Sequence, residues 1–123
     1  MKQPRSSRSI ATLRTRLRVT RRKDIALGPG KAELLALIGK TGSIVSAAQA
    51  MEMSYMRAWS LVKTMNRCFK DPLVMASRGG GGGGGAKLTA AGKQVLTLYQ
   101  QMEVASLAAT ASGWKSLRKL LRD

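Results

Sequence analysis

Seven polar side chains between Ser54 and Arg67 have the spacing of residues on one face of a helix. They comprise three hydroxyl residues, one tyrosine and three cations, namely Ser54, Tyr55, Arg57, Ser60, Lys63, Thr64 and Arg67. Because this face carries no acid, it suits ion pairing and hydrogen bonding with a polyanion such as nucleic acid. Tyr55, Arg57 and Ser60 fall nearest the helix N-terminus and are predicted to reach base edges in the major groove of DNA.

Two short helices with a tight break between them must position this face. Ser43 and Ser54 each precede an apolar helical pattern, and a serine hydroxyl there accepts a bond from an N–H of the first turn. The first helix places its small and apolar residues together, and the second turns inward Ala58, Leu61 or Val62, Met65 and Phe69. Small residues at the crossing and a basic second helix predict a helix-turn-helix.

The predicted DNA-binding set extends beyond the second helix. Ser43 and Ser46, with the amides at their helix start, suit a phosphate. Arg78 and Lys87 flank a glycine run and are expected at the DNA backbone or minor groove. The full set is Ser43, Ser46, Ser54, Tyr55, Met56, Arg57, Ser60, Lys63, Thr64, Arg67, Arg78 and Lys87.

Charge and composition narrow the function classes. The 123 residues contain 22 Lys and Arg against 6 Asp and Glu, a net charge of +16, which implies polyanionic partners. The chain has no histidine, and its six acids are scattered, so neither an enzyme nor a metal or cofactor site is expected. The single cysteine, Cys68, forms no internal disulfide and is compatible with the cytoplasm. No apolar run is long enough for a membrane span or a secretory signal.

Residues 1–24 hold nine of the cations and one acid. Residues 1–9 are predicted to be disordered, and the strict alternation over residues 13–19 predicts a strand with three arginines on one face. This basic segment is either a solvated charge run or an arm whose arginines lie near DNA phosphates. Its Arg- and Ser-rich, acid-poor composition is also typical of an organellar transit peptide.

Glycine marks the two turns that flank the helical pair. Residues 28–30, Gly-Pro-Gly, predict a turn before a first helix over residues 31–39, with Gly39 and Gly42 ending it. Two short apolar runs, residues 73–76 and 86–88, surround seven glycines and predict a β-hairpin, the wing of a winged helix, or else a plain linker. A nucleotide-binding loop is not expected, because Ala86 separates Gly85 from Lys87 and Leu88 replaces the hydroxyl residue that would hold magnesium.

A long C-terminal helix is predicted from Ala90, with Thr89 as its cap, to about Ala111. Its apolar stripe, Val95, Leu98 or Tyr99, Met102, Ala105 and Ala109, continues into a basic amphipathic tail over residues 113–123. Such a stripe either forms a dimer contact with a second copy of the chain or packs on the core of its own chain.

The combined string from residue 42 to residue 102 resembles the N-terminal domain of the molybdate-responsive regulator family (ModE), which is itself similar to the LysR-type DNA-binding domain. The residues that carry this resemblance are Gly42-Ser43-Ile44, Ala47-Ala48, Met53-Ser54-Tyr55, Ala58-Trp59, Met65-Asn66, Leu73-Val74, the glycine run, and Leu88-Thr89 with Gly92. The resemblance implies a winged helix-turn-helix that regulates transcription and dimerises through its first strand and last helix. The residues expected at that dimer contact are Leu13, Leu17, Val19, Val95, Leu98 and Met102. Full-length family members add molybdate-binding domains, which are not expected within this chain.

The sequence therefore predicts a mainly α fold with a small β component, a winged helix-turn-helix with a long C-terminal dimerisation helix. Residues 1–12 are assigned to a basic arm, 13–112 to the DNA-binding domain and 113–123 to the tail. The predicted function is sequence-specific regulation of transcription by a homodimer on duplex DNA. The alternatives are a non-specific basic nucleic-acid-binding protein and a protein-interaction module on the same scaffold.

Overall fold

The computed structural model describes residues 11–77 and 85–122. In this part of the chain the elements are β1 Val19–Arg21, β2 Asp24–Leu27, α1 Pro29–Thr41, α2 Ile44–Ala50, α3 Tyr55–Cys68, β3 Val74–Ser77, β4 Gly85–Leu88, α4 Ala90–Ala109 and α5 Ala111–Arg118. The predicted disordered residues 1–9 and the predicted site residue Arg78 lie outside the described residues. No helix of the described part is long and apolar enough to cross a membrane.

The strand predicted over residues 13–19 is wrong, because the first hairpin begins only at Val19. Strand β1 contains only Val19–Arg21, and it pairs antiparallel with β2, so that Thr20 faces Ile25 and Arg21 faces Asp24. The turn between them places Arg22 at φ 58°, a left-handed conformation that the alternating pattern does not reveal. Residues 13–18 enter no strand ladder in the described part of the chain, because the partner strand β2 ends at the level of Val19.

Helix α1 is longer than predicted at both ends. It begins at Pro29, where the missing N–H of proline costs nothing, with Gly28 as an extended N-cap. It passes through Gly39 and ends at Gly42, whose φ of 73° closes the helix with an N–H bond to the carbonyl of Ile38 at 2.8 Å. The expected stop at Gly39 is therefore wrong, and the stop at Gly42 is confirmed.

The two serine caps are confirmed. The Ser46 amide donates to the Ser43 hydroxyl at 3.0 Å, and the Arg57 amide donates to the Ser54 hydroxyl at 3.1 Å. Helices α2 and α3 contribute small and medium side chains to the core, which are Ile44, Ala47, Ala48, Ala58, Val62 and Met65. The predicted inward face of α3 is thus observed, with Leu61 and Phe69 partly buried at its edge.

Strands β3 and β4 form the second hairpin where the two apolar runs predict it. Asn66 of α3 holds this hairpin, because its Oδ1 accepts from the amides of Leu73 at 2.8 Å and Val74 at 3.1 Å. Its Nδ2 donates to the Val74 carbonyl at 3.0 Å. Thr89 then caps α4 through a bond from the Gly92 amide at 2.9 Å, which confirms that prediction.

The C-terminal helix and the fold class require correction. Helix α4 ends at Ala109, where the Thr110 hydroxyl donates back to the Ser106 carbonyl at 2.8 Å, and α5 begins at Ala111. The two hairpins belong to two separate two-stranded sheets. The predicted winged helix-turn-helix with a long C-terminal dimerisation helix is therefore wrong, and the described part is an α-rich fold of five helices with two small antiparallel sheets.

The described part of the chain separates into two compact units, the first formed by residues 16–100 and the second by residues 11–15 and 101–122. The first unit holds the core, in which Leu34, Leu35, Ile38 and Val62 are fully buried. The second unit contains the end of α4 and α5, and in it the Thr15 hydroxyl donates to Glu103 at 3.3 Å. The candidate functional site lies within the first unit, because all of its lining residues fall between positions 16 and 100.

Candidate anion-binding site

A cavity of about 340 Å³ lies among the first hairpin, the start of α1, the α2–α3 turn and the first turns of α3. Its lining combines four cations, four apolar side chains and two glycines, which are Arg16, Arg18, Lys31, Arg57, Ile25, Pro29, Met53, Leu61, Gly28 and Gly30. No acidic side chain belongs to this lining. Four positive groups around one concave site attract a small anion electrostatically.

Arg16 and Arg18 are positioned by a bond from the core. The Tyr99 hydroxyl donates to the carbonyl of Leu17, between the two arginines, at 2.8 Å. Tyr99 is 1% exposed, so a buried ring on α4 fixes an extended segment that has no ladder of its own. A Cβ at Gly28 would lie 3.6 Å from Cγ of Arg18, which shows that this segment runs across the N-cap of α1.

Lys31 and Arg57 enter the cavity from two different helix starts. Lys31 belongs to the first turn of α1, and Arg57 belongs to the first turn of α3, where its own amide completes the Ser54 cap. Backbone N–H groups in the first turn of a helix carry partial positive charge, so both helix starts add to the attraction for an anion. Two rigid elements thus hold two of the four cations.

Burial lowers the pKa of Lys31 from its ordinary value of 10.5, and the charges of Arg57 and Arg18 lower it further. Cys68 and Asp24 act in the opposite direction and raise this pKa. Asp24 is shared, because its carboxylate also pairs with Arg67 at 3.4 Å and lies 3.9 Å from the Cys68 sulfur. Lys31 therefore carries a charge that burial has partly removed from water, and a bound anion would offset that cost.

Of the eleven described residues predicted to bind DNA, seven lie on α3 and Ser54 is the N-cap of that helix. Among these described residues, Arg57 is the one that lines the cavity. Tyr55, Met56, Ser60 and Lys63 are exposed on the outer face of α3. The others lie apart from that face or are engaged within the fold: Ser43 and Ser54 as caps, Ser46 on α2, Thr64 donating to the Ser60 carbonyl, Arg67 paired with Asp24, and Lys87 on β4.

The residues predicted for dimerisation fall into two groups. Leu17 and Val95 are partly buried against the core of their own chain. The other four, Leu13, Val19, Leu98 and Met102, are 37–49% exposed. Their role in a dimer stays a prediction.

Arg16, Arg18 and Lys31 are site residues that the sequence analysis did not assign. The alternation over residues 13–19 places its arginines on one side of the segment, and this pattern was the signal in the sequence for Arg16 and Arg18. What it does not show is that the segment crosses Gly28 and meets Arg57, because those contacts join residues far apart in the chain. The second signal was Lys31, a cation two residues after Pro29 and therefore in the first turn of the helix that begins there.

No family model matches the chain. Over 99 residues it is 40% identical to the molybdenum-pterin-binding protein MopB of Rhodobacter capsulatus, a match covering 80% of this chain and 37% of that relative. It is 38% identical over 79 residues to the molybdenum transport protein ModE of Azotobacter vinelandii, covering 64% and 29%. It is 38% identical over 77 residues to the molybdenum-pterin-binding protein MopA of R. capsulatus, covering 63% and 29%. The chain therefore spans about a third of the length of these curated relatives.

These findings overturn the predicted identity and function. The names of the three relatives concern molybdenum and molybdenum-pterin, so the assignment to a DNA-binding domain without molybdate binding is wrong. The predictions of a sequence-specific regulator and of duplex DNA as its partner are wrong on the same findings, and the two alternative functions fall with them. The physical reason is that a surface rich in Lys and Arg suits a small anion as well as a polyanion, and the sign of charge alone does not separate the two.

Proposed function

We propose that the chain binds a molybdenum-containing anion in the cavity between the first hairpin, α1 and α3. The observation that carries the proposal is the lining itself, with Arg16, Arg18, Lys31 and Arg57 around one concavity and no acid among the lining residues. The names of the relatives MopB, MopA and ModE point to molybdenum as the central atom of the anion, since they describe binding or transport of molybdenum. The proposed ligand is molybdate, the bare oxyanion of molybdenum.

The chemistry of the lining fits an oxyanion. Oxidised molybdenum in neutral water is an oxyanion whose oxygens accept hydrogen bonds, and arginine presents planar, paired donors to such groups. Charge-assisted bonds of this type are each worth about 1.5–3 kcal/mol. Lys31 adds a charge that burial has made costly, so part of the binding energy comes from relief of that cost.

The proposal treats the chain as a binding protein that acts in the cytoplasm. We propose that it acts there by binding alone, without enzymatic activity. What supports a binding role is the composition of the cavity, which offers donors and apolar surface but no histidine or carboxylate to move a proton.

Isothermal titration calorimetry of the full chain with sodium molybdate tests the proposal at about 0.15 M ionic strength, where distant surface charges are screened. The double variant Arg16→Gln/Arg18→Gln should bind molybdate at least about tenfold more weakly, since it loses charge-assisted bonds. The matched control is Lys63→Gln/Lys87→Gln, which removes the same charge from two exposed side chains that do not line the cavity. The control should bind within about twofold of the parent protein.

Two results would overturn the proposal. One is the absence of measurable heat with molybdate in the parent protein. The other is an equal loss of affinity in both double variants, because that would mean that binding reports the net charge of +16 and not the cavity.

A further inference from the structure

Helix α5 and the turn after it expose apolar side chains along one face. Leu117, Leu120 and Leu121 are 48–85% exposed, and the indole of Trp114 is partly buried. These four residues recur at i, i+3, i+6 and i+7, which is the spacing of a single helical face. The amides of Leu120 and Leu121 donate to the carbonyls of Leu117 and Arg118, so the chain keeps turning beyond the end of α5. Exposed apolar side chains grouped in this way mark an interaction surface.

Four exposed cations lie beside this apolar face, at the spacing i, i+3, i+4 and i+7 that places them together on one side of a helix. They are Lys115, Arg118, Lys119 and Arg122. The sequence has no acid between Glu103 and Asp123, and no ion pair among the described residues involves any of the four cations. Their charge is therefore available to an anionic partner.

We infer that this amphipathic segment, residues 114–122, docks on the surface of a membrane that contains anionic lipids. Such a surface offers negative head groups for the cations and, directly beneath them, acyl chains for the leucines. The boundary between the two layers favours tryptophan, because it accommodates both the apolar ring and its N–H. The segment is too short to span the hydrocarbon layer and lies along the membrane surface.

Other classes of partner match only half of the segment. Nucleic acid would pair with the cations through its phosphates but would leave Leu117, Leu120 and Leu121 in water. An uncharged apolar surface would cover the leucines but would take the neighbouring cations out of water without a counter-charge. The combination of the two faces therefore selects a partner that is anionic outside and apolar beneath.

The end of α4 provides a comparison within the same unit. Met102, Val104 and Leu107 are 40–68% exposed there, so this part of α4 also presents apolar side chains to water. The only charged residue in the sequence of residues 101–109 is Glu103, which an anionic surface would repel. The membrane-docking segment is therefore α5 with its following turn, and the end of α4 supplies matched controls.

Cosedimentation of the full chain with vesicles tests the inference at about 0.15 M ionic strength, where distant charges are screened. One set of vesicles contains phosphatidylcholine alone, and the other contains phosphatidylcholine and phosphatidylglycerol in equal amounts. The parent protein should bind the anionic vesicles at least about tenfold more tightly, because each cation near an anionic surface adds roughly fivefold to the affinity. The inference is independent of molybdate binding, since the residues that line the cavity lie between positions 16 and 61.

The apolar face is tested with Leu117→Ser/Leu121→Ser, which keeps every charge. This variant should bind the anionic vesicles at least about tenfold more weakly than the parent protein, because the two leucines no longer enter the acyl layer. Val104→Ser/Leu107→Ser is the matched control on α4 and should bind within about twofold of the parent protein. Circular dichroism should show the same helix content in both variants, since all four substitutions lie at exposed positions.

The cationic face is tested with Lys115→Gln/Lys119→Gln, which should weaken binding to the anionic vesicles at least about tenfold. Its control, Lys63→Gln/Lys87→Gln, removes the same charge elsewhere on the chain and should change the affinity less than about threefold.

Four results would overturn the inference. Equal binding by the parent protein and the leucine variant would show that the vesicles report only the net charge of +16. An equal loss in the α4 control would show general apolar adhesion. If the parent protein binds no vesicles but forms a dimer that the leucine variant cannot form, the face belongs to a second copy of the chain. If it binds polyglutamate and no vesicles, the face belongs to an acidic protein.

Discussion

The cavity and the outer face of α3 are both cationic, yet they differ in shape and in the residues that surround each cation. In the cavity, Arg57 faces Arg16, Arg18 and Lys31 across a concave space with an apolar wall. On the outer face, Lys63 is exposed to solvent and Arg67 is already paired with Asp24. The three arginines of the cavity are themselves exposed and Lys31 is partly buried, so what sets the cavity apart is that four cations converge on one space.

This difference teaches that the arrangement of charges, more than their number, defines a binding site. The sequence shows the outer face clearly because its residues are three or four positions apart on one helix. The cavity is hidden in the sequence because its cations come from an extended segment and two helices. Substitutions in each region show whether the cavity and the outer face differ in their contribution to molybdate binding as they differ in geometry.

The largest effect is expected from Asn66→Ala, which acts on the helix that both regions share. The substitution leaves the amides of Leu73 and Val74 without their acceptor and the Val74 carbonyl without a donor. Unsatisfied groups cost about 1–3 kcal/mol each, so we expect a loss of about 3 kcal/mol in the free energy of unfolding, measured by urea denaturation.

Asn66→Asp is the control for this prediction, since it keeps Oδ1 as acceptor for the two amides and puts an oxygen in place of the Nδ2 donor, opposite the Val74 carbonyl. Its loss should be smaller than that of the alanine variant. Both variants should bind molybdate like the parent protein under conditions where they are folded. A loss below about 1 kcal/mol for Asn66→Ala would show that the hairpin is held by packing alone.

The next effect in size is expected from Arg57→Gln, compared with Lys63→Gln six residues further along α3. Arg57 lines the cavity, and Lys63 lies on the outer face. Arg57→Gln should weaken molybdate binding about tenfold, corresponding to one charge-assisted bond of about 1.5 kcal/mol. Lys63→Gln should change it less than about twofold. Equal effects in calorimetry would remove the distinction between the two regions.

Much of the scaffold that carries these regions was predictable from short-range chemistry. Ser43 and Ser54 specify two helix starts through their own hydroxyls, and the glycine run between two apolar runs specifies the second hairpin. The first hairpin was misplaced because its turn depends on Arg22 in a left-handed conformation, which no residue type announces there. The C-terminal helix was predicted to end about two residues too late, because Thr110 separates α4 from α5 while the apolar spacing continues past it.

The candidate site was far less predictable than the scaffold. Its key positioning contact joins Tyr99 to the carbonyl of Leu17, 82 positions apart. Neither residue type suggests such a bond, because tyrosine at a helical spacing is predicted to be core and the acceptor is backbone. The sign of the charge was predicted correctly, but which cations share one space depends on these long-range contacts.

The pH dependence of binding should separate the cavity from the outer face through Lys31. Because burial lowers the pKa of Lys31, this side chain loses its charge at a lower pH than the ordinary 10.5. Molybdate affinity should therefore fall as the pH rises through that lowered pKa, by at most about tenfold per pH unit. Lys31→Arg should keep its affinity over the same range, because arginine stays charged.

The free energy of unfolding should change with pH in the opposite direction to the affinity for molybdate. Since the folded pKa of Lys31 lies below the unfolded value, the unfolded chain binds more protons between the two, and the free energy of unfolding rises with pH in that window. Both measurements are repeated in a Cys68→Ser background, because this thiol lies near the same lysine. An affinity that is independent of pH in the protein with Lys31 would exclude Lys31 from the site.

The smallest expected effect comes from the two serine caps, which offer a matched pair on neighbouring helices. Ser54→Ala and Ser43→Ala each remove one cap bond, at 3.1 Å and 3.0 Å, and each should lower the free energy of unfolding by about 1 kcal/mol. Only Ser54 holds the amide of a residue that lines the cavity, Arg57. Fraying of the first turn of α3 should therefore weaken molybdate binding about twofold to threefold in Ser54→Ala, while Ser43→Ala leaves it unchanged. If the two variants lower affinity equally, binding follows global stability, and the position of Arg57 at the start of α3 has no special role.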